Sequence, residues 1–192
     1  MSSTVTILGN GTMGQAIAGL AGKGGYSVQV LDVDDAGTPA TGDIVVLAVP
    51  HPAVAGIVAE RGSELAGKVV VDITNPVDFE TFDSLVVPAD SSKAAEIAAA
   101  LPDSRVVKAF NTTFAGTLAS GAVGDNTTTV LVAGDDADAK DSVIALVRSA
   151  GLNAHDAGSL KRARELEALG FLQISLAASE KVSWVGGFAV VA

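Results

Sequence analysis

The residues with the clearest chemical content stand in "GNGTMG", where Gly9, Gly11 and Gly14 are spaced to cradle a phosphate. Glycine takes left-handed turns without steric cost and lets a ligand approach the backbone closely. The set follows a β-branched run, Thr4–Leu8, and opens a helical pattern, which is the setting a dinucleotide fingerprint requires. In that role Gly9 permits the tight turn, Gly11 admits a pyrophosphate and Gly14 lets helix and strand pack closely. Asn10, Thr12 and Met13 complete the loop, whose helix N-terminus offers free N–H groups and a positive dipole end. The glycines alone could equally punctuate an ordinary turn. Asp32, at the end of the next apolar run, favours the binding role. A carboxylate there accepts hydrogen bonds from the adenosine ribose hydroxyls and repels a 2′-phosphate. Val33 follows it, then Asp34 and Asp35, and no Arg or Lys lies between Lys23 and Arg61, so the rim is expected to be acidic and free of bases.

Two further stretches, "LAVPHPAV" and "DITNP", close apolar runs. Ligands of open α/β sheets bind beyond the carboxyl ends of strands, so Ala48, Val49, Pro50, Thr74, Asn75 and Pro76 are expected beside the ribose–nicotinamide half. The plainer role of the prolines is to end strands and start turns. His51 could move protons, although a solvated histidine is the commoner case; His155, in a turn-rich stretch, has less claim. Other schemes fail on inventory. With no cysteine, thiolate metal sites and cysteine nucleophiles are excluded, and two distant histidines make a poor metal site. Tyr26 lacks the lysine four residues later that a Tyr/Lys reductase pair needs, and no G-x-S-x-G elbow occurs. No catalytic residue and no metal ligand is assigned. Lys161, Arg162 and Arg164 oppose the dipole at the start of a helix, where they could meet an anionic substrate or a subunit, or simply be solvated.

Strands alternating with helices must position these residues. Apolar runs at Thr4–Leu8, Ser27–Asp32, Ile44–Val49, Val69–Ile73, Arg105–Phe110 and Thr128–Ala133 read as strands, with a short extended piece near Asn153–Ala157. Helical patterns follow "GNGTMG" and cover Pro52–Leu65, Ser91–Leu101, Ala137–Ser149 and about Lys161–Ser179. The fold class is α/β: a Rossmann-type doubly wound parallel sheet in a single domain, with a core over about 1–135 and a C-terminal extension over about 136–192 ending in a helix. The connection between the second and third strands is too short for a helix. Taken as parallel neighbours, those strands need a return of ~20 Å, and the residues Val33–Asp43 can reach ~36 Å, so a bare loop suffices. A net charge of −10 argues against nucleic acid and anionic membranes. No apolar run is long enough to span a bilayer, and the opening residues lack a signal-peptide pattern, so a cytoplasmic protein is expected. Leu166, Leu169, Leu172 and Leu176 recur at helical spacing, for the core or a homodimer interface, with Trp184 and Phe188 as anchors.

The segments "GNGTMGQAIA", "VVVDITNP", "VVKAFNTT", "TVLVAGDDADAK" and "DAGSLKRARELEALG" resemble the F420-dependent NADP reductases and the reductase domain of the STEAP metalloreductases. The likeness runs over nearly the whole chain. It implies hydride exchange between NAD(P)H and a flavin or F420 stacked on the nicotinamide, with Ala109, Phe110, Asn111 and Thr112 bordering that second ring. Members using NADP usually carry a Ser/Thr–Arg pair where this chain has Asp32 and Val33, so the resemblance favours NADP and the local residues favour NAD. A small imine or carbonyl reductase, with His51 as proton donor, and a dinucleotide-binding regulator without turnover are the alternatives.

Overall fold

β-Branched runs build the sheet, and their period-two alternation feeds two cores. The computed structural model describes residues 3–35 and 37–191. Its strands are β1 (Thr4–Leu8), β2 (Ser27–Leu31), β3 (Ile44–Leu47), β4 (Val69–Asp72), β5 (Arg105–Lys108), β6 (Ala122–Val123), β7 (Asn126–Thr127), β8 (Thr129–Gly134) and β9 (Asn153–Gly158). The helices are α1 (Thr12–Lys23), α2 (Val54–Leu65), α3 (Lys93–Ala100), α4 (Ala115–Ser120), α5 (Ala137–Ser149) and α6 (Ala163–Ala178). Val5, Ile7, Ile44, Val46, Val69 and Val71 pack on one face with residues of α1, α4 and α5. Leu8, Val45, Leu47 and Val70 pack on the other with residues of α2, α3 and Ala163. Strands buried on both faces need such near-continuous apolar runs. No helix among the described residues is long and apolar enough to cross a membrane.

The seven-stranded sheet has the order β2-β1-β3-β4-β5-β8-β9. The Rossmann-type expectation holds, with two corrections. First, β2 and β3 are not neighbours: they flank β1 on opposite sides, both parallel to it. The short connection therefore omits a strand as well as a helix, and β2 becomes the sheet edge. The connection opens with a 3-10 turn, Val33–Asp35, and residues 37–43 return across the sheet face on polar contacts instead of an apolar helix stripe. Gln29 Oε1 accepts the Thr6 hydroxyl at 2.7 Å and the Thr41 N–H at 2.9 Å, while Gln29 Nε2 donates to the Pro39 carbonyl at 3.0 Å. The Gly42 N–H donates to Thr6 Oγ1 at 2.9 Å. Here glycine is required by close approach, since a Cβ at Gly42 would lie 2.6 Å from the Thr6 nitrogen. Thr6 and Gln29 thus satisfy polar groups that a crossover helix would have kept to itself.

Second, β8 runs antiparallel to β5. The chain leaves β5 through α4 and the β6–β7 hairpin, neither anticipated from sequence, and β8 enters from the carboxyl side without a crossover. The extension is integral to the sheet, since β9 pairs parallel with β8 and α5 contributes Val143, Ile144 and Val147 to the core.

Candidate functional site

At the carboxyl edge the chain turns from β1 into α1 under tight constraint. Gly9 has φ 117°, and a Cβ there would lie 2.2 Å from the Ala48 carbonyl oxygen. A Cβ at Gly14 would lie 2.1 Å from the Gly9 carbonyl oxygen. Both positions exclude side chains for reasons internal to the fold. Gly11 differs: a Cβ there meets no atom within 4 Å. It faces open space at the N-cap of α1, where no side chain caps the helix and no acid occupies the first turn. Helix N-terminal N–H groups beside a backbone position open to close approach form a site suited to an anion such as a pyrophosphate. Asn10, whose side-chain oxygen accepts from Gln15, and Thr12 lie exposed on this loop, and Met13 is half-buried.

Two hollows flank the turn, and Val49 lines both. One, of about 280 Å³, has a floor of Leu8, Leu31 and Ile57 and a rim of Asp32, Glu60 and Arg61. Asp32 is exposed there, and its N–H donates to Asp35 Oδ2 at 2.9 Å. The Val33 side chain lies outside the described residues. The rim is acidic as expected, yet it is not free of bases. Arg61 reaches it from α2, donating to the Thr38 carbonyl at 2.8 Å and the Asp35 carbonyl at 3.3 Å while pairing with Glu64 at 3.2 Å. Sequence distance concealed this base, which the packing of α2 against the loop brings in.

The other hollow is a cleft of about 420 Å³ that holds Gly11, Thr12, Met13, Ala48, Pro50, His51, Thr74 and Asn75 together with Phe79 and Ile174. His51 and Phe79 stack with ring centroids 6.4 Å apart, and Phe82 meets Phe79 edge-on at 5.7 Å. Pro76, by contrast, is buried. Of the four residues implied by resemblance, Ala109 and Phe110 have no exposed surface, and Asn111 and Thr112 are buried beneath the cleft. Phe110 holds φ 63°, unusual for a bulky residue, in a turn where the Asn111 N–H donates to the Ala109 carbonyl at 2.8 Å. His155 lies on the opposite sheet edge, in β9.

A buried ionic cluster supports the cleft floor. Lys108 Nζ lies 2.8 Å from Asp72 Oδ2 and 2.9 Å from Glu167 Oε1, and also donates to the Thr74 carbonyl. Asp72 Oδ1 accepts the Thr74 N–H at 2.9 Å, and Glu167 Oε2 accepts the Lys93 N–H at 2.9 Å at the start of α3. The cluster ties β4, β5, α3 and α6 together and fixes the Thr74 backbone. The Thr74 hydroxyl, in a residue only 5% exposed on the cleft lining, has no hydrogen-bond partner. An orphaned buried hydroxyl at a cleft is suited to a ligand's polar group. Asn75 and Asn111 clasp each other: Asn75 Nδ2 donates to the Asn111 carbonyl at 2.8 Å, and Asn111 Nδ2 donates to Asn75 Oδ1 at 2.9 Å. The clasp passes beneath α6 only because position 170 is glycine, where a Cβ would lie 2.3 Å from Asn75 Oδ1. A lysine in the apolar run "VVKAF" signals a buried partner, but neither Glu167 nor Gly170 carries a signal of its own.

The glycine turn, the carboxyl-edge trough and the switch of strand order beside β1 mark a dinucleotide-binding protein of Rossmann type. The family model described as "NADP oxidoreductase coenzyme F420-dependent" matches residues 20–76. The F420-dependent NADP reductase of Methanocaldococcus jannaschii is 31% identical over 158 residues, covering 79% of this chain and 70% of that protein. A crystal structure of a candidate F420-dependent NADP reductase from Arthrobacter sp. FB24 superposes with a TM-score of 0.86 at 27% identity, covering all of both chains. Rat metalloreductase STEAP3 is 39% identical over 106 residues, 55% of this chain; the match spans only 20% of STEAP3. The chain belongs to the F420-dependent NADP reductase family, whose members are NADP-dependent oxidoreductases.

Proposed function

We propose that the protein transfers hydride between a nicotinamide dinucleotide laid across the glycine turn and a planar acceptor, such as flavin or F420, stacked in the adjoining cleft. The observation that carries this reading is the cleft itself: it adjoins the turn, and among the described residues its lining holds no acid or base except His51. When bound, the dihydronicotinamide supplies the hydride from C4, the acceptor ring takes that hydride, and a solvent proton completes the reduced ring. The protein's part is then positioning and exclusion of water, which can supply most of the rate. In this reading Gly9–Gly14 hold the pyrophosphate, Asp32 the adenosine ribose, and Thr74 and Asn75 the nicotinamide half.

The acidic rim supports a preference for NAD(H), although the family is NADP-dependent. Asp32, Asp34, Asp35, Glu60 and Glu64 outnumber Arg61, whose guanidinium is already bonded to two carbonyls and a carboxylate. A 2′-phosphate is disfavoured there by about tenfold or more. The test is oxidation of NADH and NADPH against a panel of flavins, F420, quinones and imines. The expected result is turnover with a planar ring acceptor, faster from NADH, and retained in His51→Ala, which removes a ring face from the cleft but no required proton donor. Turnover confined to imines or carbonyls and lost in His51→Ala would install the second reading, which rests on His51 in the cleft lining. Tight binding without turnover across the panel would make the protein a regulator. A higher kcat/KM with NADPH would show that Arg61 is released to the phosphate.

We also propose that the protein is a cytoplasmic homodimer. The tail beyond α6 supports dimerisation: Trp184, 53% exposed, leans on Phe114 at 5.0 Å, and Val185 and Val191 are still more exposed. Light scattering at micromolar concentration is expected to give twice the chain mass, and the chain mass alone would count against it.

A further inference from the structure

With no crossover helix to hold it, the return from β2 to β3 depends on side chains that reach it from its two sides. Gln29 and Thr6 secure residues 39–42 on the sheet side. The part that follows Asp32 is secured from α2 by Arg61 and Glu64, which stand one helical turn apart. Arg61 Nη1 donates to the Thr38 carbonyl at 2.8 Å, and Nη2 donates to the Asp35 carbonyl at 3.3 Å. Glu64 Oε2 lies 3.2 Å from Arg61 Nη1, and Glu64 Oε1 accepts the Ala40 N–H. The pair thus grips the loop at three backbone groups. Asp35 passes that grip to the site: its carbonyl also accepts the Thr38 N–H at 2.9 Å, and its Oδ2 accepts the Asp32 N–H at 2.9 Å. The Arg61 side chain is only 11% exposed, so these bonds are not those of a solvated surface pair. Packing does little of the same work, since Gly37, Thr38 and Pro39 are exposed and line a hollow of about 290 Å³ together with Arg61 and Glu64.

We infer that Arg61 and Glu64 are positioning residues for the adenosine half of the dinucleotide: they hold the loop that carries Asp32 in its binding conformation, and they do not themselves take the 2′ substituent. The inference rests on the dinucleotide reading above. Arg61 lines the hollow beside Asp32, so it has the reach to touch a ligand there. Its Nη1 hydrogens, however, are both committed, to Thr38 and Glu64, and its Nη2 holds Asp35. A guanidinium turned toward a ligand would give up the bonds that shape the pocket. With the pair broken, the ligand must order the loop itself, and that cost is subtracted from the affinity of anything that contacts Asp32. The loss therefore falls on the adenosine half whatever its 2′ group.

The experiment titrates ADP-ribose and 2′-phospho-ADP-ribose by calorimetry into wild type, Arg61→Ala, Glu64→Ala and the double variant, and follows amide exchange by NMR. Each single variant is expected to weaken both fragments by about tenfold, with the ratio between the fragments staying within about threefold. The double variant should bind no more weakly than a single one, because the same latch is lost once. The KM for NADH should rise by about tenfold while kcat stays within about twofold. Exchange should quicken at Thr38 and Ala40, while Gly42, whose N–H is held by Thr6, keeps its protection. Quickened exchange at Gly42 as well would make the pair a support of the whole fold and overturn the inference. A loss confined to 2′-phospho-ADP-ribose in Arg61→Ala, with a gain for that fragment in Glu64→Ala, would make Arg61 a direct phosphate ligand and overturn it too. Unchanged fragment affinities beside normal NADH binding by wild type overturn it while leaving the dinucleotide reading intact. A wild type that binds neither NADH nor either fragment overturns the dinucleotide reading itself, and the role of the pair with it.

Discussion

Gly11→Val is expected to weaken NADH binding by at least about a hundredfold while lowering stability by less than about 1 kcal/mol. The separation of the two effects follows from the geometry of the turn. Gly9 and Gly14 are glycines because a Cβ would strike backbone oxygen at 2.2 Å and 2.1 Å, so substituting either damages the fold and the site together. Gly11 has no such neighbour, and its φ of −75° is open to any residue. Valine there points into the space a pyrophosphate must enter, and the folding cost is only that of a poorer helix N-cap. Calorimetric titration with NADH beside urea denaturation reads both quantities on one sample. Affinity retained in Gly11→Val would remove the glycine turn from the binding site, and with it the main support for the dinucleotide reading.

The second large effect is expected at Lys108. Replacing it by methionine keeps most of the volume but strands Asp72 and Glu167, 0% and 1% exposed, without their shared cation. Breaking a buried pair from one side costs about 3–5 kcal/mol, because a charge is left unpaired in a medium that solvates it badly. In a chain of this size that corresponds to a fall of roughly 10 °C in Tm. Adding Glu167→Gln is expected to recover part of the loss. By contrast, Arg162→Ala should change stability by about 0.5 kcal/mol at most, since its pair with Glu165 lies in solvent at 3.4 Å. The Thr74 carbonyl also loses its donor in Lys108→Met, so NADH affinity should drop alongside stability. A urea-measured loss below about 1 kcal/mol would mean that this lysine is not what holds the cluster together.

The strands and helices were legible because each keeps a clean local pattern. Thr4–Leu8, Ile44–Leu47 and Val69–Asp72 alternate between two cores, and Ala137–Ser149 carries its own Asp136 cap, whose Oδ1 accepts the Ala139 N–H at 2.7 Å. What escaped was short or non-local. Helix α4 has only one full apolar turn, and the β6–β7 hairpin has two residues a side, too little for periodicity to register. The partner of a strand is not written in the strand: β3 lies against β1 rather than β2 because the loop carries the chain past β1, held by Gln29 and Thr6.

For the site, the residue types and spacing of "GNGTMG", Asp32 and "DITNP" determined where a dinucleotide would lie, because a phosphate-binding turn is local: one strand end, one helix start and the next strand end suffice. Tertiary structure decided the surroundings. Arg61 enters the adenosine rim from a separate helix, Glu167 joins Lys108 and Asp72 from the far end of the chain, and Gly170 leaves room for the Asn75–Asn111 clasp. Phe79 enters the cleft lining from a loop anchored to α6 by Ser175. Each of these joins segments far apart in sequence, so its free energy exists only once both are packed, and no short window of residues encodes it.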